Sequence, residues 1–130
     1  TIELLSIGLN EFEKSIKGTK IALLGMSYKA NVGDIRESPS IKIKELLSRS
    51  GADLIIYDPY FPGINTVNNL NDALKNTFAI IIATDHKEFL NIDSEILKNT
   101  NVKVVIDGKN CLNKADLKAE GFYYKGIGHW

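Results

Sequence analysis

The sequence predicts an α/β domain, a Rossmann-like three-layer sandwich with a mostly parallel sheet. Three observations carry this. Four short apolar runs are rich in isoleucine and valine, they are nearly continuous rather than alternating, and helical patterns separate them. Continuous apolar runs are expected of strands buried on both faces, and strand alternating with helix is the signature of parallel pairing through crossovers.

The elements follow in chain order. In "TIELLSIGLNEFEKSIKGTK", Leu5, Leu9, Phe12 and Ile16 share one face of a predicted helix ending near Gly18. The strands are "KIALLG" from Lys20, "DLIIYD" from Asp53, "FAIIIAT" from Phe78 and "VKVVID" from Val102. Helical patterns lie between them: Ile41, Ile43, Leu46 and Leu47 before Gly51, then Leu70 to Asn76, then Phe89 to Leu97. A last short helix stopped by Gly121 precedes a final strand around Phe122 to Tyr124. No repeat or low-complexity tract interrupts the pattern.

Composition bounds the function. A chain of 130 residues with 44% hydrophobic and 25% charged content fits one domain with a sizeable core. Sixteen basic and sixteen acidic residues cancel, so no overall field draws the chain to nucleic acid or a membrane, and an anion site has to be built locally. One cysteine, Cys111, makes no intrachain disulfide; with no signal-peptide pattern and no long apolar run, the expected compartment is the cytoplasm. The chain begins at Thr1 and its one methionine is Met26, which reads as a piece of a longer protein.

Ligands of such folds sit at the carboxyl ends of the strands, where the strand order reverses. That rim comprises Gly25 and the loop after it, Asp58-Pro59, Thr84-Asp85-His86 and Asp107-Gly108-Lys109-Asn110. The first loop, "GMSYKANVGDIRESPS", departs from the dinucleotide fingerprint: Ser27 replaces the second glycine and the helix is delayed to the Ser38 cap and Pro39. It carries two cations, Lys29 and Arg36, beside amides from Gly25 to Lys29 that can form an anion nest. Each feature also has an ordinary explanation. The cations are charged loop residues, Asp58 in "DPY" is turn chemistry as readily as a ribose-binding acid, Thr84 and Asp85 cap a helix with His86 in its first turn, and Cys111 is a small core residue without an adjacent base. No metal-ligand spacing and no catalytic constellation appears.

The stretch "KIALLGMSYKANVGDIRESPSIKIKELLSRSGADLIIYDPY" is similar to the C-terminal, UDP-binding domain of the UDP-glucose/GDP-mannose dehydrogenase family, whose signature resembles G-x-x-F/Y-K, D-x-R-x-S-P and Y-D-P. The likeness continues through "ATDHKEF" and "VVIDGKN" to "YKGIG", and the "KGIGHW" ending leans toward the N-acetylated sugar branch. The resemblance implies a part in an NAD-dependent dehydrogenase that oxidises a UDP-sugar C6 alcohol to a carboxylate in two steps. Its cofactor domain and catalytic cysteine are expected upstream, so this chain alone should catalyse nothing. Residues 1–18 are expected to form the helical connection from that upstream part, and residues 19–130 the nucleotide-sugar-binding domain.

By position, the resemblance makes Tyr28, Lys29 and Lys109 substrate-binding and Arg36 cofactor-binding, with no metal. Tyr28 stands where phenylalanine is usual, and Lys109 where arginine is usual, keeping the charge but losing the bidentate fork. Implied partners are the UDP-sugar, NAD held mainly by the upstream domain, the upstream domains themselves and a second subunit in a homodimer. The alternatives are a non-enzymatic nucleotide-binding or regulatory module of the same fold, and a stand-alone NAD-binding domain, which Ser27 and the delayed helix weaken.

Overall fold

The computed structural model describes residues 1–27, 29–32 and 38–126. Five parallel strands form one sheet in the order β2-β1-β3-β4-β5: β1 (Lys20–Leu24), β2 (Asp53–Tyr57), β3 (Ala79–Ile82), β4 (Val104–Asp107) and β5 (Tyr123–Gly126). The expected three-layer α/β sandwich is present, and the sheet is wholly parallel. Successive residues of each strand face opposite layers. Ile21 and Leu23 join one core with Ile81 and Ile106, whereas Ala22 and Leu24 join the other with Ile80, Ile82 and Val105.

Helices α1 (Ile2–Asn10) and α2 (Pro39–Arg49) cover the first face through Leu5, Leu9 and Leu47. Helices α3 (Leu70–Lys75), α4 (Ser94–Leu97) and α5 (Lys114–Ala119) cover the second through Leu74, Leu97 and Leu117. All six leucines are essentially buried, each contributing about 1.5–3 kcal/mol relative to exposure. Ser38 caps α2 by accepting the Ser40 amide at 3.2 Å, with Pro39 in the first turn, as the sequence predicts.

Two helices differ from expectation. The first ends at Asn10 rather than near Gly18, because the backbone turns into the left-handed region at Glu13 (φ 58°). Phe12 and Ile16 still reach the same core from the turn that follows, Phe12 meeting the Phe78 ring edge-on at 5.7 Å. Gly8 lets α1 lie close on the sheet, since a Cβ there would meet the Tyr123 ring at 2.8 Å and Val104 at 2.9 Å. The pattern from Phe89 to Leu97 is broken into a 3-10 turn at Lys87–Phe89 and the single-turn α4. Asp93 accounts for the break: its carboxylate accepts the Ile96 amide at 3.0 Å, and a residue that caps a new helix cannot continue an old one.

The last paired row of the sheet runs Tyr57, Leu24, Ile82, Asp107, Gly126, so the loops after the first four strands leave at one level. The order reverses between β1 and β3, and the rim is built around that point.

Candidate functional site

The loop after β1 turns at Gly25, whose φ of +96° and contact with the segment after β3 both demand glycine. A Cβ there would lie 2.6 Å from the Thr84 Cβ. The next amides do not wait for a ligand. Those of Met26 and Ser27 donate to Asp58 Oδ2 at 2.7 and 2.9 Å, and the Ser27 hydroxyl donates to the same oxygen at 2.7 Å. The anion nest expected here is therefore already filled by a carboxylate of the chain itself. Asp58 is wholly buried and turned inward, so it is no ribose-binding acid. Its other oxygen accepts the Tyr60 amide at 2.8 Å, the turn chemistry that "DPY" suggests.

His86 completes the cluster. Its Nδ1 accepts the Asn31 amide at 2.7 Å, which leaves Nε2 to carry the proton and donate it to Asp58 Oδ2 at 3.0 Å. Both side chains are fully buried, and the Tyr60 ring lies over the imidazole at 4.6 Å. Burial alone raises the Asp58 carboxyl, but hydrogen bonds from the Met26 amide, His86, Ser27 and the Tyr60 amide outweigh it and hold the group below the ordinary aspartate value. Serine, histidine and aspartate meet here without forming a nucleophilic relay, because Ser27 and His86 both donate to Asp58 and not to one another. Thr84 does not cap a helix as the sequence suggests; its hydroxyl donates to the Ser27 carbonyl at 2.8 Å, and His86, not Asp85, precedes the 3-10 turn.

A second buried carboxylate organises the loop after β4. Asp107 accepts the Lys109 amide at 3.1 Å, the Leu112 amide at 2.9 Å and the Tyr124 hydroxyl at 2.7 Å. Cys111 lies 3.6 Å from the same carboxylate, and burial first, then the Asp107 charge and hydrogen bond, push its thiol up to about 12. That is the reverse of an activated nucleophile.

Lys29 is exposed in the loop after β1, and Lys109 is exposed in the loop after β4. Lys109 lines a rim pocket of about 160 Å³ with Pro39 and Ser40 at the start of α2, Ala83 and Gly108; Lys29 is not among its lining residues. The two lysines thus share the rim while belonging to loops on either side of β3. Tyr28 and Arg36, with Ile127 to Trp130 of the ending, lie outside the described residues. Among the described residues no cluster of histidine, cysteine and acid side chains has the makings of a metal site, and no helix is long and apolar enough to cross a membrane.

Sequence reasoning placed Asp58, His86 and Asp107 on the rim but missed that the two carboxylates are buried and bonded to neighbouring loops, Asp58 through His86 as well. All three stand at the carboxyl ends of predicted strands, and that placement was the available signal.

A doubly wound parallel sheet with cationic loops on its carboxyl rim defines a ligand-binding α/β domain. The chain belongs to the UDP-glucose/GDP-mannose dehydrogenase family: residues 22–114 match its UDP binding domain. It is 38% identical over 109 residues to the UDP-N-acetyl-D-mannosamine dehydrogenase of Pyrococcus horikoshii, covering 83% of this chain and 25% of that protein. It is 32% identical over 122 residues to the UDP-glucose 6-dehydrogenase of Rhizobium meliloti, covering 87% and 28%. The solved UDP-D-ManNAc dehydrogenase of Pyrococcus horikoshii superposes with a TM-score of 0.86 at 35% identity over 97% of this chain and 29% of that one. The NDP-N-acetyl-D-galactosaminuronic acid dehydrogenase of Methanosarcina mazei gives a TM-score of 0.87 at 29% identity, over 98% and 28%. The chain therefore spans between a quarter and a third of the length of these relatives.

Proposed function

We propose that this chain is the UDP-sugar-binding part of an NAD-dependent nucleotide-sugar 6-dehydrogenase, with residues 1–18 connecting from a preceding part of the polypeptide and residues 19–130 forming the nucleotide-sugar domain. The observation that carries the reading is the match of residues 22–114 to the family's UDP binding domain. The rim supports it: Lys29 and Lys109 are exposed cations on loops whose backbones are pinned by the buried acids Asp58 and Asp107. Cations held on such loops can meet phosphate oxygens with little ordering cost. Tyr28 beside Lys29 and Arg36 toward the cofactor complete the proposed set. An N-acetylated sugar is favoured because UDP-N-acetyl-D-mannosamine dehydrogenases are prominent among the relatives.

The residues after β1 do not fit a dinucleotide. Ser27 stands at the second glycine position, and the Met26 and Ser27 amides that would meet a pyrophosphate are taken by Asp58. NAD is thus assigned to another part of the polypeptide, as are the hydride transfer and the catalytic cysteine; the whole enzyme is proposed to be a cytoplasmic homodimer. Titration of the chain followed by amide NMR tests the reading. Shifts at residues 29 and 109 with UDP and none with NAD are expected; the reverse selectivity sinks it.

A further inference from the structure

Resting on that reading, we infer that Asp58 and His86 are positioning residues for the nucleotide's phosphates, acting through the loop that carries Lys29. Lys29 is exposed and has no ion-pair partner among the described residues. A free lysine side chain on a free loop binds an anion weakly, because the loop and the side chain must both be ordered on binding. Here the backbone is tied on both sides of Lys29. Two residues before it, Ser27 is held by its amide and hydroxyl to Asp58 and by its carbonyl to Thr84. Two residues after it, Asn31 is held by its amide to His86 Nδ1, and its side chain accepts the Lys87 amide at 2.9 Å.

The two tethers are one structure, because the imidazole that receives Asn31 donates to the carboxylate oxygen that receives Ser27. Asp58 follows β2 and His86 follows β3, so the lysine loop of β1 is clamped to both neighbouring strands. Asn31 adopts φ 60°, a left-handed conformation that the paired contacts on its amide and side chain hold in place. The two ring nitrogens have separate duties: Nε2 fixes the ring to Asp58, and Nδ1 fixes the far side of the loop. Neither group touches the ligand. Both are fully buried, and the Tyr60 hydroxyl closes over them by donating to Glu88 at 2.9 Å.

The test separates the two nitrogens. His86→Gln retains an N–H near the Nε2 position for Asp58 and loses the acceptor for Asn31, whereas His86→Asn retains an acceptor near Nδ1 and loses the donor. UDP titrations of the full chain are expected to show roughly three- to tenfold weaker binding for His86→Gln, the size of one lost neutral hydrogen bond, and a smaller loss for His86→Asn. Hydrogen exchange at the residue 29 and 31 amides should quicken in His86→Gln. The diagnostic is the double variant: with Lys29→Ala in place, adding His86→Gln should cost no further affinity, because the histidine acts only through the lysine. Asn31→Gly keeps the left-handed backbone, removes the side-chain acceptor and disturbs no buried residue; it should weaken UDP about threefold if the clamp matters. UDP affinity unchanged in His86→Gln and Asn31→Gly, or an equal loss in the Lys29→Ala background, overturns the inference alone. No UDP binding by the unaltered chain overturns it together with the proposed function.

Discussion

Tyr124 donates its hydroxyl to Asp107 Oδ2 at 2.7 Å, tying the last strand to the loop that presents Lys109. The same oxygen accepts the Leu112 amide, so a buried carboxylate is shared between β5 and the approach to α5. Tyr124→Phe removes one charge-assisted bond and leaves the rest of the packing intact. The expected loss is about 1.5–3 kcal/mol, seen as a lower urea midpoint with an unchanged m-value. Burial, followed by the Asp107 hydrogen bond and charge, raises the Tyr124 hydroxyl well above the ordinary tyrosine value. A raised folded-state value means that the contribution is complete below about pH 10 and is lost as the pH rises beyond it. Tyr124→Phe should therefore flatten the alkaline fall in stability; an alkaline limb as steep as the wild type's rules out this pairing.

The contact between Gly25 and Thr84 makes a sharper claim about backbone. Gly18 and Gly25 both have positive φ, 77° and 96°, but a Cβ at Gly18 meets nothing within 4 Å. Gly18→Ala should cost about 1–2 kcal/mol for the left-handed backbone alone. Gly25→Ala should cost about 1–3 kcal/mol more for overlap with Thr84. Equal losses in thermal or urea unfolding would mean that the close approach of the β1 and β3 loops is relieved without cost.

Acid titration probes Asp58. Its carboxyl is held below the ordinary value, so it stabilises the fold above about pH 4, and that contribution drains away as the pH falls through the lower folded value. Asp58→Asn is expected to be less stable at neutral pH, because its amide nitrogen cannot accept from Met26 and Ser27. It should also lose less stability than the wild type between pH 4 and pH 2. Parallel acid limbs in urea titrations would place the ionisation elsewhere.

The fold was legible where the physics is local. Ile80, Ile81 and Ile82 announce a strand buried on both faces, and Ser38-Pro39 announces a helix start; both stand as expected. Helix extents were less legible because capping by Asp93 competes with apolar periodicity, and the periodicity alone gives no weight to the cap. The clamp was not legible at all as a clamp. Asp58 and His86 are 28 residues apart and meet only because β2 and β3 flank β1, so their separate local readings, a turn acid and a helix-start histidine, were reasonable and incomplete. The anion nest failed for the same reason: its amides are local, but the carboxylate that fills it arrives from another strand.

Cys111 should be inert. With its thiol pushed up to about 12, the thiolate fraction at pH 8 is very small, and alkylation should run about a hundredfold or more slower than for an ordinary thiol. Cys111→Ala should leave UDP binding unchanged. Rapid modification by iodoacetamide in the folded chain, or loss of UDP binding on alanine substitution, would contradict the half-buried, Asp107-facing placement.

The rim cations are the last and most direct test of the proposed function, because a diffuse positive patch would make them interchangeable. Lys29 follows β1 closely on a clamped loop and is assigned to the substrate in the proposed function, whereas Arg36 lies two residues before the Ser38 cap in sequence and is assigned there to the cofactor side. A hydrogen bond to a charged group is worth about 1.5–3 kcal/mol, and about 1.4 kcal/mol is tenfold in affinity. Lys29→Ala should therefore weaken UDP binding roughly ten- to a hundredfold, while Arg36→Ala leaves it nearly unchanged. Lys109 offers a complementary gain. Its backbone is pinned by Asp107 at the rim pocket, and arginine would restore a two-pronged donor there, so Lys109→Arg should tighten UDP binding while Lys109→Gln weakens it. Calorimetric titrations of the four variants decide the matter. Equal losses for Lys29→Ala and Arg36→Ala, with no difference between Lys109→Arg and Lys109→Gln, would reduce the site to unspecific charge.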